Sequence, residues 1–118
     1  MNQVAEKSRE EWTRVCALSD IVPDTGVCCL VAGKQVAVFR LSVGDRVLAI
    51  GNHDPFSRAN VLSRGIVGDV SGEIVVASPV YKNHFCLRSG RCLEDESWSV
   101  QSYAVRVSDD GMILVREA

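Results

Sequence analysis

The sequence lacks the features by which several protein classes are recognised. No apolar run approaches the ~18 residues needed to cross a bilayer, and residues 2–11 are mostly polar or charged, without the apolar core of a secretory signal peptide. The formal net charge of -2 offers no excess of positive charge for binding phosphates. No glycine-rich phosphate loop leads into a helix. We therefore expect a cytoplasmic protein that binds neither nucleic acid nor a membrane.

Cysteine is present, but not in a pattern that predicts disulfides. The five cysteines are an odd number and show no C-x-x-C spacing, so we expect reduced thiols. Cys28 and Cys29 are adjacent in an apolar stretch, where alternation along a strand would point them to opposite faces.

Short valine-rich segments, separated by glycine-bearing turns, predict an all-β fold. Turn sequences at 32–34, 43–45, 71–72 and 109–111 predict tight connections between neighbouring strands. No segment keeps an apolar period of 3.6 residues for more than two turns. The chain is therefore expected to form one antiparallel β-sandwich or small barrel over residues 1–118, with a polar segment at 1–10 that could be disordered. The predicted strands are 12–17, 27–31, 35–40, 47–51, 66–70, 73–77, 84–87, 100–108 and 112–116.

Two polar excursions interrupt the succession of strands and are the candidate functional segments. They cover residues 52–65 and 78–83, and each contains a proline near its start. In Rieske iron–sulfur domains, two such loops supply the motifs C-x-H and C-x-x-H to a [2Fe–2S] cluster. The sequence resembles that frame with every ligand replaced. Asp54 and Phe56 stand in the places of the first Cys and His, and Ser78 and Tyr81 in those of the second.

The replacement side chains are poor ligands for such a cluster. A serine hydroxyl is a weak ligand for this iron, and a phenylalanine ring has no lone pair to donate. No other alignment of the loops supplies both ligand motifs together. The sequence therefore predicts a Rieske-like domain with two loops at one tip and no bound cofactor or metal.

A series of motifs extends the resemblance along almost the whole chain. They are Asp20-Ile21-Val22-Pro23, Asn52-His53-Asp54-Pro55-Phe56, Val61-Leu62-Ser63-Arg64-Gly65, Ala77-Ser78-Pro79-Val80-Tyr81-Lys82 and Cys92-Leu93-Glu94-Asp95. A ligand-less Rieske frame with these motifs closely resembles the small subunit of bacterial assimilatory NAD(P)H-dependent nitrite reductases. The resemblance implies a cytoplasmic two-subunit enzyme whose large subunit carries FAD, sirohaem and an iron–sulfur cluster. That subunit would reduce nitrite to ammonium with NAD(P)H, and this chain would support it without a catalytic residue of its own.

We hypothesise that the two loops form the contact surface for the large subunit. Phe56 and Tyr81 could instead fill the space that a cluster would occupy, and Arg64 could be a solvated loop cation. Asp54 and Lys82 could pair at the rim of the loops. The candidate contact residues are Asp54, Pro55, Phe56, Arg64, Pro79, Tyr81 and Lys82.

Other functions are weaker alternatives. The chain could be a free-standing Rieske-like module for another redox partner. A [2Fe–2S] electron carrier is the less favoured alternative, because the sequence lacks the cysteine and histidine ligands of the cluster. A zinc site would lack a clear fourth ligand, since His53, His84, Cys86 and Cys92 offer no such arrangement. Independent acid–base catalysis by His53 and Asp54 would lack a nearby nucleophile.

Overall fold

A computed structural model describes residues 11–118, except for the side chain of Asp45. The polar segment 1–10, which the sequence marks as a candidate for disorder, lies outside the described residues. Within 11–118 the chain forms strands and three short 3-10 turns at Leu18–Asp20, Val43–Asp45 and Leu62–Arg64. The strands are β1 (Thr13–Ala17), β2 (Thr25–Val31), β3 (Lys34–Arg40), β4 (Val47–Gly51), β5 (His53–Asp54), β6 (Ala59–Asn60), β7 (Ile66–Val70), β8 (Glu73–Ala77), β9 (His84–Cys86), β10 (Ser102–Val107) and β11 (Met112–Glu117).

The all-β prediction is confirmed, with small shifts of the strand ends. Every predicted strand is present, and β10 is the most shortened, since it begins at Ser102 rather than at residue 100. Strands β5 and β6 were not predicted, because two residues are too few to show an alternating pattern. No helix in the described part of the chain is long and apolar enough to cross a membrane.

The strands form three antiparallel sheets. The largest has the order β1-β11-β10-β4-β3-β2, the second has the order β7-β8-β9, and β5 pairs with β6 alone. The edge strands β1 and β2 approach each other, which makes the six-stranded sheet a nearly closed barrel. The four predicted turn sequences each connect strands that pair directly, as expected for hairpins.

Strand β3 separates two hydrophobic cores and is buried on both faces. Val36 and Val38 pack inside the barrel, where they contact Ile113 and other apolar residues. Ala37 and Phe39 point the other way, into the layer between the barrel and the β7-β8-β9 sheet. Because successive side chains alternate, one strand supports both cores. The segments that leave β4 and β8 therefore start from well-packed positions.

The cysteines follow the same alternation. Cys29 packs against the barrel core, whereas its neighbour Cys28 is exposed. This confirms the prediction that the two thiols face opposite sides of β2. All five cysteines have free thiols.

Candidate functional site

The two polar excursions meet through a side-chain hydrogen bond, and each contains the same kind of turn. We call the region where they meet the tip. Residues 54–58 follow β4 through β5, and residues 78–82 connect β8 to β9. In the first turn the Arg58 amide donates to the carbonyl oxygen of Asp54 at 2.8 Å, and in the second the Lys82 amide donates to that of Ser78 at 3.0 Å. Both are therefore five-residue turns closed by a hydrogen bond from the fifth residue to the first. We call them the matched turns.

The likeness of the matched turns extends to their side chains. Proline is the second residue of each turn. The first side chain of each turn accepts from the third amide: Asp54 Oδ1 lies 2.9 Å from the nitrogen of Phe56, and Ser78 Oγ lies 3.3 Å from that of Val80. Such bonds are typical of Asp and Ser at turn starts. The fifth residues, Arg58 and Lys82, are both left-handed, with φ of 61° and 65°.

A direct hydrogen bond joins the two turns at their first residues. Ser78 Oγ donates to Asp54 Oδ2 at 2.5 Å, and Ser57 Oγ donates to the same oxygen at 2.9 Å. Asp54 and Ser78 are both almost completely buried. Burial by itself raises the pKa of Asp54, but the hydrogen bonds from Ser78, Phe56 and Ser57 outweigh it and lower the pKa. The Asp54 carboxylate therefore holds the turns together in its ionised form.

Asp54 does not pair with Lys82, which corrects one expectation from the sequence. All the side-chain bonds of Asp54 within the described chain go to its own turn and to Ser78, and Lys82 is exposed. A fully buried carboxylate also cannot lie at the rim or touch a partner directly. Its position was misjudged because an Asp in a polar loop is usually exposed.

Phe56 and Tyr81 occupy different environments. The Phe56 ring is partly buried, with its centroid 6.2 Å from that of Phe85 and 5.4 Å from that of Trp98. Phe56 therefore fills space between the first turn and the core, as the sequence suggested. Tyr81 is 63% exposed, so it does not fill that space.

Three exposed side chains in or beside the matched turns are apolar or aromatic. Val80 and Trp98 are 47% and 44% exposed, and together with Tyr81 they form what we call the tip surface. Pro79 is also exposed, Pro55 is partly buried, and Arg64 is exposed at the end of a neighbouring 3-10 turn. The buried part of the Trp98 side chain packs against the Phe56 ring.

Asn52 is a positioning residue that the sequence did not single out. It is almost completely buried, and its side-chain oxygen accepts from the amide of Ser63 at 2.7 Å. Its side-chain nitrogen donates to Gln35 Oε1 at 3.0 Å. Asn52 thus fastens the start of the first excursion to β3 and ties the later part of the excursion, at Ser63, to that start. A single polar residue before a loop carries no sequence signal of this role.

The candidate zinc ligands do not come together. His53 contacts Asn60, with 2.9 Å between Nδ1 and Oδ1, whereas His84 Nδ1 lies 2.6 Å from Glu94 Oε2. Burial raises the pKa of Glu94, but the hydrogen bonds from the His84 amide and imidazole outweigh it and lower the pKa. Within residues 11–118, no group of three or more His, Cys, Asp or Glu side chains is arranged to hold a metal ion.

The four positions that the sequence resemblance assigns to cluster ligands do not fit a [2Fe–2S] cluster. Such a cluster needs two thiolates and two imidazoles in a Rieske domain. These positions supply a carboxylate, a phenyl ring, a hydroxyl and a phenol, from Asp54, Phe56, Ser78 and Tyr81. The two buried groups are already bonded to each other. The frame of the site is that of a cluster-binding domain, but its donor atoms are not.

A barrel with a small second sheet and two loops meeting at one tip defines the class of Rieske-like domains. The family model for the Rieske-like [2Fe–2S] domain matches residues 11–116. The chain belongs to this family and, within it, to the small subunits of NAD(P)H nitrite reductases.

Three relatives support this assignment. The NADH nitrite reductase small subunit of Salmonella typhimurium is 49% identical over 106 residues, which cover 90% of this chain and 97% of that one. The solution structure of the nitrite reductase [NAD(P)H] small subunit from Erwinia carotovora matches with a TM-score of 0.76 and 50% identity, covering 91% of this chain and 82% of that one. The nitrite reductase [NAD(P)H] large subunit of Klebsiella oxytoca is 40% identical over 104 residues, which cover 88% of this chain but 11% of that longer one.

Proposed function

We propose that this chain is the non-redox small subunit of an NAD(P)H-dependent nitrite reductase. It assembles with a large subunit that carries FAD, sirohaem and an iron–sulfur cluster and reduces nitrite to ammonium in nitrate or nitrite assimilation. The observation that carries the proposal is the 49% identity to a nitrite reductase small subunit over nearly the whole of both chains. The use of NAD(P)H by the large subunit favours the cytoplasm as the location.

The Klebsiella relative supports the choice of partner. There, a segment 40% identical to this chain is part of one long polypeptide that bears the name of the large subunit. A covalent link keeps two units together permanently, at a high effective concentration. Where the homologous unit is a separate chain, a binding surface has to do the same work.

The donor set supports the non-redox character. Without thiolate or imidazole at the four positions that the resemblance assigns to ligands, this chain does not supply the donor set of the family's cluster. Its contribution is then mechanical: it stabilises the large subunit or covers part of its active surface. The residues proposed for the contact are Pro55, Phe56, Arg64, Pro79, Tyr81 and Lys82, while Asp54 acts from beneath by holding the turns.

The test is nitrite reduction by the purified large subunit with and without this chain. We expect the chain to raise either the rate or the half-life of the active large subunit. A cluster-containing Rieske ferredoxin, added at the same concentration, serves as the control for a non-specific effect. Unchanged rate and unchanged half-life would refute the proposed function.

Co-purification separates this proposal from a free-standing module that serves another partner. From cells grown on nitrite as the nitrogen source, the tagged chain should bring down a long chain with flavin and sirohaem absorption. Recovery of a different redox protein in its place would favour the alternative.

A further inference from the structure

The matched turns place two cations at equivalent positions. Arg58 and Lys82 are the fifth residues of their turns, and both are exposed. Neither has an ion-pair partner among the described residues. The left-handed backbone conformation at both positions favours glycine or asparagine over residues with long side chains. The same conformation occurs at Asp24, Ala32 and Ser71, but among the left-handed non-glycine residues that the structure describes only Arg58 and Lys82 carry a positive charge.

The exposed charge of the matched turns is therefore entirely positive, although the chain as a whole has a net charge of -2. The one acidic residue of the two turns, Asp54, is fully buried and bonded internally. The acidic segment that precedes Trp98 carries Glu94, Asp95 and Glu96. Glu94 contacts His84 and Asp95 accepts from Ser97, whereas Glu96 is exposed. Within the described chain none of these three carboxylates forms an ion pair with Arg58 or Lys82.

The tip surface supplies the apolar centre of the same contact. Val80 and Tyr81 belong to the second turn, and Trp98 rests against Phe56 of the first turn. Exposed aromatic and aliphatic side chains beside charged residues are typical of protein interfaces, where aromatic residues often dominate the affinity. The buried Asp54–Ser78 hydrogen bond fixes the turns relative to each other, so little conformational entropy is lost on binding.

From these features we infer that the tip docks on the large subunit of nitrite reductase at an apolar site edged by carboxylates. Val80, Tyr81 and Trp98 enter the apolar part, and Arg58 and Lys82 pair with the carboxylates. This inference rests on the proposed function, and it names the face of this chain and the chemistry of the site that receives it.

The first test reverses the two charges. The variant Arg58→Glu/Lys82→Glu should bind the purified large subunit at least about tenfold more weakly than the wild-type chain, because a complementary contact becomes a repulsive one. Raising the salt concentration should weaken wild-type binding but not binding of the variant. The control is Arg88→Glu, compared with the single variant Lys82→Glu. It reverses one exposed cation outside the tip that has no ion-pair partner among the described residues, and it should leave the affinity within about twofold.

The second test separates binding from folding. Arg58→Gly and Lys82→Gly relieve the left-handed conformation while removing a cation, so each should raise the unfolding temperature and yet lower the affinity. If either side chain had only a structural role, its replacement by glycine would raise the unfolding temperature and leave the affinity for the large subunit unchanged. Tyr81→Ala should also weaken binding, whereas Leu30→Ala, which removes an exposed apolar side chain on β2, should not.

The outcomes distinguish the two proposals. If the wild-type chain binds the large subunit and the charge-reversed and glycine variants bind equally well, the tip is not the docking face and the inference is wrong. If the wild-type chain itself does not bind, the proposed function is wrong as well.

Discussion

The Asp54 carboxylate determines how the two turns are held. A buried ionised carboxylate is costly unless hydrogen bonds replace its hydration, and here Ser78, Ser57 and the Phe56 amide do so. Bonds to a charged acceptor are shorter and stronger than neutral ones. One side chain therefore stabilises its own turn and ties it to the second turn.

Asp54→Asn should destabilise the fold by about 2 kcal/mol, because the amide keeps the size of the carboxylate but cannot accept from three donors with the same strength. Urea unfolding at pH 7 measures the change. Asp109→Asn, at an exposed carboxylate, is the control and should stay within about 0.5 kcal/mol of the wild type. Equal stability of the two variants would contradict the role given to Asp54.

The contribution of Asp54 should also depend on pH. Because the folded state lowers the pKa of this carboxyl, its contribution is fully present above the unfolded value of about 3.9 and is lost as the pH falls through the folded pKa. The difference in unfolding free energy between the wild type and Asp54→Asn should therefore shrink between pH 5 and acid pH. If this difference in unfolding free energy instead grew as the pH fell, folding would raise the pKa of Asp54 rather than lower it.

The cysteines should differ sharply in reactivity. Burial is the main cause that raises the pKa of Cys29 to about 12 and also raises that of Cys16, which leaves little reactive thiolate at pH 7. Cys28, in contrast, is exposed. Brief maleimide treatment of the native chain should label Cys28 first, as mass spectrometry of peptides would show. Cys28→Ser should remove the fast phase, and rapid labelling of Cys29 would contradict the packing of β2.

At the scale of elements, the close approach of β7 and β8 begins at a glycine. A Cβ atom on Gly65 would lie 2.3 Å from the backbone oxygen of Ala77, which precedes Ser78 in the second turn. The contacted atom belongs to the backbone, so moving a side chain cannot relieve the contact. The pairing of Ile66 with Ala77 holds the two backbones at this distance. The start of β7 therefore helps to set the place of the second turn.

Gly65→Ala should destabilise the fold by about 2 kcal/mol or more, since the backbone of β7 or β8 has to shift. Gly68→Ala, three residues along the same strand, meets nothing within 4 Å and should be nearly neutral. Thermal unfolding of both variants provides the comparison. An unchanged unfolding temperature for Gly65→Ala would show that β7 and β8 do not approach so closely at this position.

The strands could be predicted from the sequence, whereas the contacts between the loops could not. Alternating apolar residues and glycine turns mark β2, β3 and their neighbours, because these patterns arise from local geometry. The bond between Asp54 and Ser78 joins residues that are 24 positions apart, and no local pattern encodes it. For the same reason the burial of Asp54 was not foreseen, and the sequence could not decide between the two alternatives for Tyr81, a filled space or an exposed contact.

At the scale of the whole molecule, the tip is carried by two cores rather than by one. The barrel core and the second core share β3, and Asn52 fastens the first excursion to that strand through Gln35. Phe56 extends the second core to the first turn through Phe85. A scaffold built in this way can keep its loop geometry when the side chains at the tip change, which is how one fold serves different functions.

We therefore expect the frame to regain a cluster when its donors are restored. The variant Asp54→Cys/Phe56→His/Ser78→Cys/Tyr81→His would supply two thiolates and two imidazoles from the matched turns. After incubation with iron and sulfide under reducing conditions, it should show visible absorption, a reduced-state paramagnetic signal and about two irons per chain. The wild type and the partial variant Asp54→Cys/Ser78→Cys should remain colourless, since neither offers four ligands. Iron and colour in the wild-type chain would contradict its non-redox role, whereas a colourless four-ligand variant would show that the matched turns are not the ligand frame.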